Sequence, residues 1–88
     1  MKYFKVIAWN KCPFCIKAKQ LLIESGEPFE FCSVDDANEL LEYYKTIYSH
    51  KTVPMIVIKE VGVNDKFIGG YTDLVEFIAN TGSGDYPI

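Results

Sequence analysis

Residues 3–9 form a short apolar run, rich in aromatic and β-branched side chains, with the length of one mostly buried strand. Past Asn10 and Lys11 the period changes to that of a helix. Cys15, Ala18 and Leu22 recur at helical spacing with Leu21 beside them, and Pro13 suits a first helical position, where its missing N–H would have had no partner. The spacing predicts a helix over about 13–25, closed by Gly26, with Lys17 and Lys19 turned outward. After Pro28, residues 29–34 alternate in strand fashion, so a right-handed crossover would lay this strand parallel to the first. Asp35 and Asp36 are placed to cap a helix over 37–48, in which Leu40, Tyr43, Tyr44 and Ile47 form the stripe expected to face the core. A polar break over 48–51 follows and holds the single histidine, His50.

Beyond it, 55–58 has the continuous apolar character of a central strand, 62–65 a turn, and 66–68 an antiparallel partner. Gly69 and Gly70 end the hairpin. Tyr71, Thr72 and Asp73 open a last helix in which Leu74, Phe77 and Ile78 face the sheet. The order β-α-β-α-β-β-α predicts an α/β fold with a mixed four-stranded sheet flanked by three helices. One domain is expected over 1–81, with 82–88, which contains Gly82, Gly84 and Pro87, as a loosely held tail.

Composition narrows the functional classes. Eighty-eight residues leave room for one small core, and with 49% of them hydrophobic the chain is globular rather than disordered. The net charge of −3, with nine lysines spread along the chain and no arginine, gives nucleic-acid binding no support. The apolar run behind Met1 is too short for a signal peptide, and nothing is long enough to span a bilayer. The expectation is a monomer in the cytoplasm, or in the host cytoplasm for a viral chain. Three cysteines, an odd number, argue for chemistry at one pair rather than a secreted disulfide scaffold.

That pair lies in Lys11-Cys12-Pro13-Phe14-Cys15, where the first strand gives way to the first helix. At a helix N-terminus the unpaired N–H groups and the positive end of the dipole favour a thiolate at Cys12, with Lys11 as an adjoining cation. Cys15 lies about one turn on, close enough to close a small disulfide ring. Cys12 is the candidate nucleophile and Cys15 the resolving thiol. A zinc half-site would need further ligands, and the remaining Cys32 and His50 stand at no familiar ligand spacing, so no metal site is expected. A structural disulfide closing so short a loop would restrain little chain. Cys32, with no helix end or cation adjoining it, is expected to be a small buried or half-buried residue, and His50 a solvated one without a catalytic role.

The element order, with a C-x-x-C at the first strand-to-helix junction, resembles the thioredoxin fold. Three motifs resemble the dithiol glutaredoxins in particular: Cys12-Pro13-Phe14-Cys15, Thr52-Val53-Pro54, and Gly69-Gly70-Tyr71-Thr72-Asp73-Leu74. The resemblance implies glutathione as the reducing co-substrate, with no tightly bound cofactor. It also implies a cis peptide bond before Pro54, with the Val53 backbone pairing the cysteinyl part of glutathione. Thr52 belongs to the same loop, and Gly70, Tyr71, Thr72 and Asp73 would surround the γ-glutamyl end. Phe14 replaces the commoner tyrosine of the motif and keeps its aromatic wall. Trp9 stands where many members carry a basic residue for the glycine carboxylate; Lys51 matches a basic position of relatives, and Lys11 is the other nearby cation.

The implied activity is glutathione-dependent reduction of protein disulfides and glutathione mixed disulfides, with ribonucleotide reductase a family-level partner. One rival is a thioredoxin-like donor served by a flavoprotein reductase, against which the glycine-pair turn argues. Another is an iron–sulfur carrier bridged by Cys12 and glutathione, against which Pro13 argues.

Overall fold

The computed structural model describes residues 2–81. Its organising strand is β1 (Lys2–Ala8), which pairs on both edges. On one side lies β2 (Phe29–Ser33), parallel, with Val6 opposite Phe31; on the other β3 (Met55–Glu60), antiparallel, with Val6 opposite Ile56. β4 (Val63–Gly69) completes the order β2-β1-β3-β4 as a hairpin partner of β3. Since β1 and β3 are covered on both faces, their side chains are apolar at consecutive positions, the pattern that marks 55–58 in the sequence.

The alternation of side chains along the strands divides the core in two. Phe4, Val6, Ala8, Ile56 and Ile58 face α1 (Pro13–Glu24) and α3 (Tyr71–Thr81), meeting Cys15, Ala18 and Leu22 from the first and Leu74 and Ile78 from the second. Ile7, Met55 and Val57 face the other way, toward Val34 and Leu41 of the α2 layer (Asn38–Tyr48). Each fully buried side chain of this size stabilises the fold by roughly 1.5–3 kcal/mol.

The first helix matches its sequence pattern: Ser25 caps it, and Gly26 takes the left-handed conformation at φ 71° that terminates it. The hairpin turn falls earlier than predicted, at Val61 and Gly62, so that β4 already includes 63–65.

The second helix departs from expectation in two ways. Leu40, Tyr43 and Ile47 are exposed at 38%, 58% and 47%, whereas Leu41 is buried at 4% with Tyr44 and Tyr48 half-buried beside it. Two stripes, 40/43/44/47 and 37/41/44/48, share the helical period, and the sheet selects the second. There the Tyr48 ring stacks on Phe67 at 4.7 Å and Lys5 Nζ donates to the Tyr44 hydroxyl at 3.1 Å. Nor do Asp35 and Asp36 cap the helix. Its N-cap is Ala37, without a side-chain hydrogen bond, because the Asp35 carboxylate is engaged by Asn10.

No helix among the described residues is long and apolar enough to cross a membrane. The expected loose tail, 82–88, lies outside the described residues.

Candidate active site

The loop that delivers the first cysteine is tied down before the helix begins. Asn10 donates its backbone N–H to one oxygen of Asp35 at 3.0 Å and its side-chain amide to the other at 3.0 Å, and also to Ser33 Oγ at 3.1 Å. Residues 9–11 are thereby pinned to the end of β2. Cys12 follows as the N-cap of α1, extended at φ −77° and ψ 123°, with its N–H on the Trp9 carbonyl and its carbonyl accepting from Ile16.

Pro13 occupies the start of the helix, and the first turn carries no acidic residue. The open N–H groups of that turn meet no acidic side chain from the helix itself, while the Asp35 carboxylate, held by Asn10, lies close enough to contribute to raising Cys15. Cys12 is half-buried, whereas Cys15, one turn deeper, has no exposed surface. Burial, with a hydrogen bond to Cys12, pushes the Cys15 thiol up to about 12. Cys15 consequently stays protonated at neutral pH while Cys12 faces the groove. Both are free thiols.

Two further segments close around this helix end. The Val53–Pro54 peptide bond is cis, as the resemblance implied, and Pro54 is buried with Val53 packed against both halves of the core. At the other segment Gly69, at φ 129°, lets β4 turn directly into α3. The Asp73 carboxylate accepts the Gly70 N–H at 2.9 Å, occupying the space a Cβ on Gly69 would need. This is an acidic N-terminal device that ties the glycine pair to the helix it precedes.

Two adjoining hollows run along these segments and share Thr52 and Val53. The first, about 230 Å³, lies between Phe14, Pro54 and the Gly70-to-Asp73 turn. Its aromatic side is Phe14, whose ring packs at 5.9 Å on Tyr71 and carries the Lys17 ammonium at 5.0 Å. The second, about 250 Å³, lies beside Cys12 and is bounded by Trp9, Lys45 and Lys51. One hollow offers Asp73 and a helix N-terminus; the other offers two ammonium groups. A ligand laid across the Val53 backbone would meet opposite charges at its two ends.

Most residues expected at the site from the sequence are brought together: Cys12, Phe14, Lys51, Thr52, Val53, Pro54, Gly70, Tyr71, Thr72 and Asp73 border the hollows, with Cys15 behind them. Lys11 is exposed and borders neither. Cys32 is half-buried and packs on the α2 side of the sheet.

Two neighbours escape sequence reasoning. Lys45 reaches the second hollow from the last turn of α2, and His50 borders the first, half-buried, with its Nε2 3.4 Å from Thr52 Oγ1. The only signal for His50 was its place two residues before Thr52. Lys45 had none, since its position depends on how α2 is rotated on the sheet.

Comparison with known proteins bears on the fold and the family. Residues 2–63 match the glutaredoxin family. Over 67 residues the chain is 40% identical to a glutaredoxin of Pseudomonas aeruginosa, covering 76% of this chain and 71% of that one. The crystal structure of glutaredoxin 1 from Francisella tularensis, complexed with cacodylate, superposes with a TM-score of 0.72 at 27% identity, covering 97% of this chain and all of the other. A buckwheat glutaredoxin–glutathione complex shares the fold with a TM-score of 0.73 at 20% identity, over 92% of this chain and 71% of that one. With a helix-capping thiol, a buried partner thiol and a cis-proline groove on one thioredoxin-fold sheet, the chain belongs to the glutaredoxin family of thiol–disulfide oxidoreductases.

Proposed function

We propose that the protein uses glutathione to reduce protein disulfides and glutathione mixed disulfides, with Cys12 as nucleophile and Cys15 as resolving thiol. The observation that carries this reading is the asymmetry of the pair. Cys12 is half-buried at the helix start beside the hollows, and Cys15 is fully buried and held protonated one turn below.

With a glutathionylated substrate, the Cys12 thiolate attacks the glutathione sulfur. A Cys12–glutathione disulfide forms, the substrate–sulfur bond breaks, and the substrate leaves as a thiolate that takes up a proton. A second glutathione thiolate attacks the same glutathione sulfur, releasing glutathione disulfide and restoring Cys12. With a protein disulfide, Cys12 forms a mixed disulfide with one substrate sulfur. Cys15 then loses its proton and attacks the Cys12 sulfur, the substrate leaves reduced, and two glutathiones reduce the resulting Cys12–Cys15 disulfide.

The groove supports a glutathione laid antiparallel to Val53, its γ-glutamyl end in the hollow with Asp73 and its glycine carboxylate toward Lys51 and Lys45. Its protein partners are disulfide-bearing or glutathionylated polypeptides, ribonucleotide reductase being the family-level example. The chemistry suits the cytoplasm, where a reduced glutathione pool drives it.

The test is reduction of hydroxyethyl disulfide by glutathione, coupled through glutathione reductase to NADPH consumption. Cys12→Ser should abolish turnover. Cys15→Ser should retain it while losing reduction of a protein disulfide such as that of insulin. Activity surviving in Cys12→Ser would overturn the assignment.

A further inference from the structure

His50 is a titratable group at the groove that the steps above do not use. Its position is fixed from several directions. Ser49 ends α2 in the left-handed conformation at φ 50°, and the His50 N–H returns to the Lys45 carbonyl at 3.1 Å, so the residue is held by the helix end rather than free in a loop. The imidazole packs edge-on against Phe67 of β4, ring centroids 5.3 Å apart, and its Nε2 lies 3.4 Å from Thr52 Oγ1. Gly70 is the ring's neighbour on the groove side. A Cβ built there would stand 3.8 Å from Nε2 and 3.7 Å from the Pro54 carbonyl. The imidazole edge therefore meets the same glycine whose N–H holds Asp73.

The chemistry of the first hollow makes this placement consequential. Among the residues that border it, Asp73 is the one carboxylate and His50 the one basic side chain. Lys45 and Lys51 border the second hollow, and with Glu42 they flank His50 on its outer side. An amino-acid head presents an ammonium and a carboxylate on one carbon. It needs an acceptor and a donor a few ångströms apart, and Asp73 supplies only the first.

We propose that His50 donates from Nε2 to the α-carboxylate of the γ-glutamyl residue, alongside the N–H groups at the start of α3, and thereby makes this groove select a free amino-acid head. The inference rests on the glutathione reading above. It adds a specificity determinant at a position the glutaredoxin motifs in this sequence do not include. The single proton on Nε2 passes from Thr52 Oγ1, 3.4 Å away in the free groove, to the carboxylate when the ligand binds, while Phe67 packs against the ring in a T-shaped contact.

The experiment measures inhibition of the hydroxyethyl disulfide reaction by two probes. One is S-methylglutathione; the other is the same compound with the γ-glutamyl α-carboxyl converted to a carboxamide. They are compared on the wild type, on His50→Leu, which keeps an apolar contact with Phe67, and on His50→Gln, which keeps an N–H donor. In His50→Leu the inhibition constant for S-methylglutathione should rise about tenfold, the scale of one charge-assisted hydrogen bond, while that of the carboxamide, which offers only a neutral acceptor, should rise much less. KM for the glutathione mixed disulfide should rise with it and kcat should change less, with His50→Gln recovering part of the loss.

Unchanged inhibition constants, or constants that rise by one common factor for both probes, would overturn the proposal, the second outcome marking His50 as a prop for the loop. A wild type that neither turns over glutathione mixed disulfides nor responds to S-methylglutathione would instead overturn the glutathione reading on which the proposal stands.

Discussion

Cys15 shares a side-chain hydrogen bond with Cys12 one helical turn above it, and burial is the larger reason that its own thiol rises to about 12. The unfolded chain would release that proton near 9.0. The sign follows directly: the folded state binds the proton more tightly, so the contribution to stability is complete below pH 9 and is lost as pH rises from 9 toward 12. Tyr48, raised by burial, titrates in the same sense, so the informative quantity is a difference between variants. Under reducing conditions the urea midpoint of the wild type should fall more steeply above pH 9 than that of Cys15→Ser. The difference should approach no more than about 1.4 kcal/mol per pH unit. Parallel curves would mean that the Cys15 proton is not held by the fold.

The glycine pair offers a contrast between two substitutions one residue apart. At Gly69 a Cβ would overlap the Asp73 carboxylate, and the backbone stands at φ 129°, which side chains rarely adopt. Gly69→Ala should therefore displace Asp73 from the Gly70 N–H and cost about 1–3 kcal/mol of stability, lowering Tm. At Gly70 the added Cβ meets its nearest neighbours at 3.7 and 3.8 Å, ordinary contact distances. Gly70→Ala should fold with a stability within about 1 kcal/mol of the parent, yet raise KM for glutathione by narrowing the hollow. Thermal unfolding and the coupled assay on both variants separate the two effects.

The architecture was legible because its determinants are local. The strand of 55–58 shows itself by continuous apolar residues, α1 by Pro13 and by Cys15, Ala18 and Leu22 on one face, and the junction chemistry by Cys12 at the change of period. What was missed depends on tertiary choice. Leu40 and Leu41 are equally apolar, and only the sheet face formed by Ile7, Met55 and Val57 decides which one is buried. Asp35 has the chemistry of a helix cap, but Asn10, 25 residues earlier, offers its carboxylate two donors at 3.0 Å. His50 and Lys45 owe their place at the groove to that same rotation of α2 and to the turn that ends it. Their side chains carry no periodic or motif signal of it.

The hollow beside Cys12 is bordered by Trp9, whose indole is 43% exposed, and takes its cations from Lys45 and Lys51. Lys45 also lies 3.4 Å from Glu42, a pairing that draws on part of its charge. Each lysine at such an open site is worth about 0.3–1 kcal/mol toward a carboxylate, and both are screened by salt. Lys45→Ala and Lys51→Ala should each raise KM for glutathione about two- to fivefold with kcat little changed. The double variant should lose most of the rise in KM that the wild type shows between 50 and 500 mM salt. Trp9→Lys should act in the opposite direction, lowering KM at low salt and steepening its salt dependence. A salt response that persists in the double variant would place the carboxylate partner elsewhere, with Lys11 the next residue to replace.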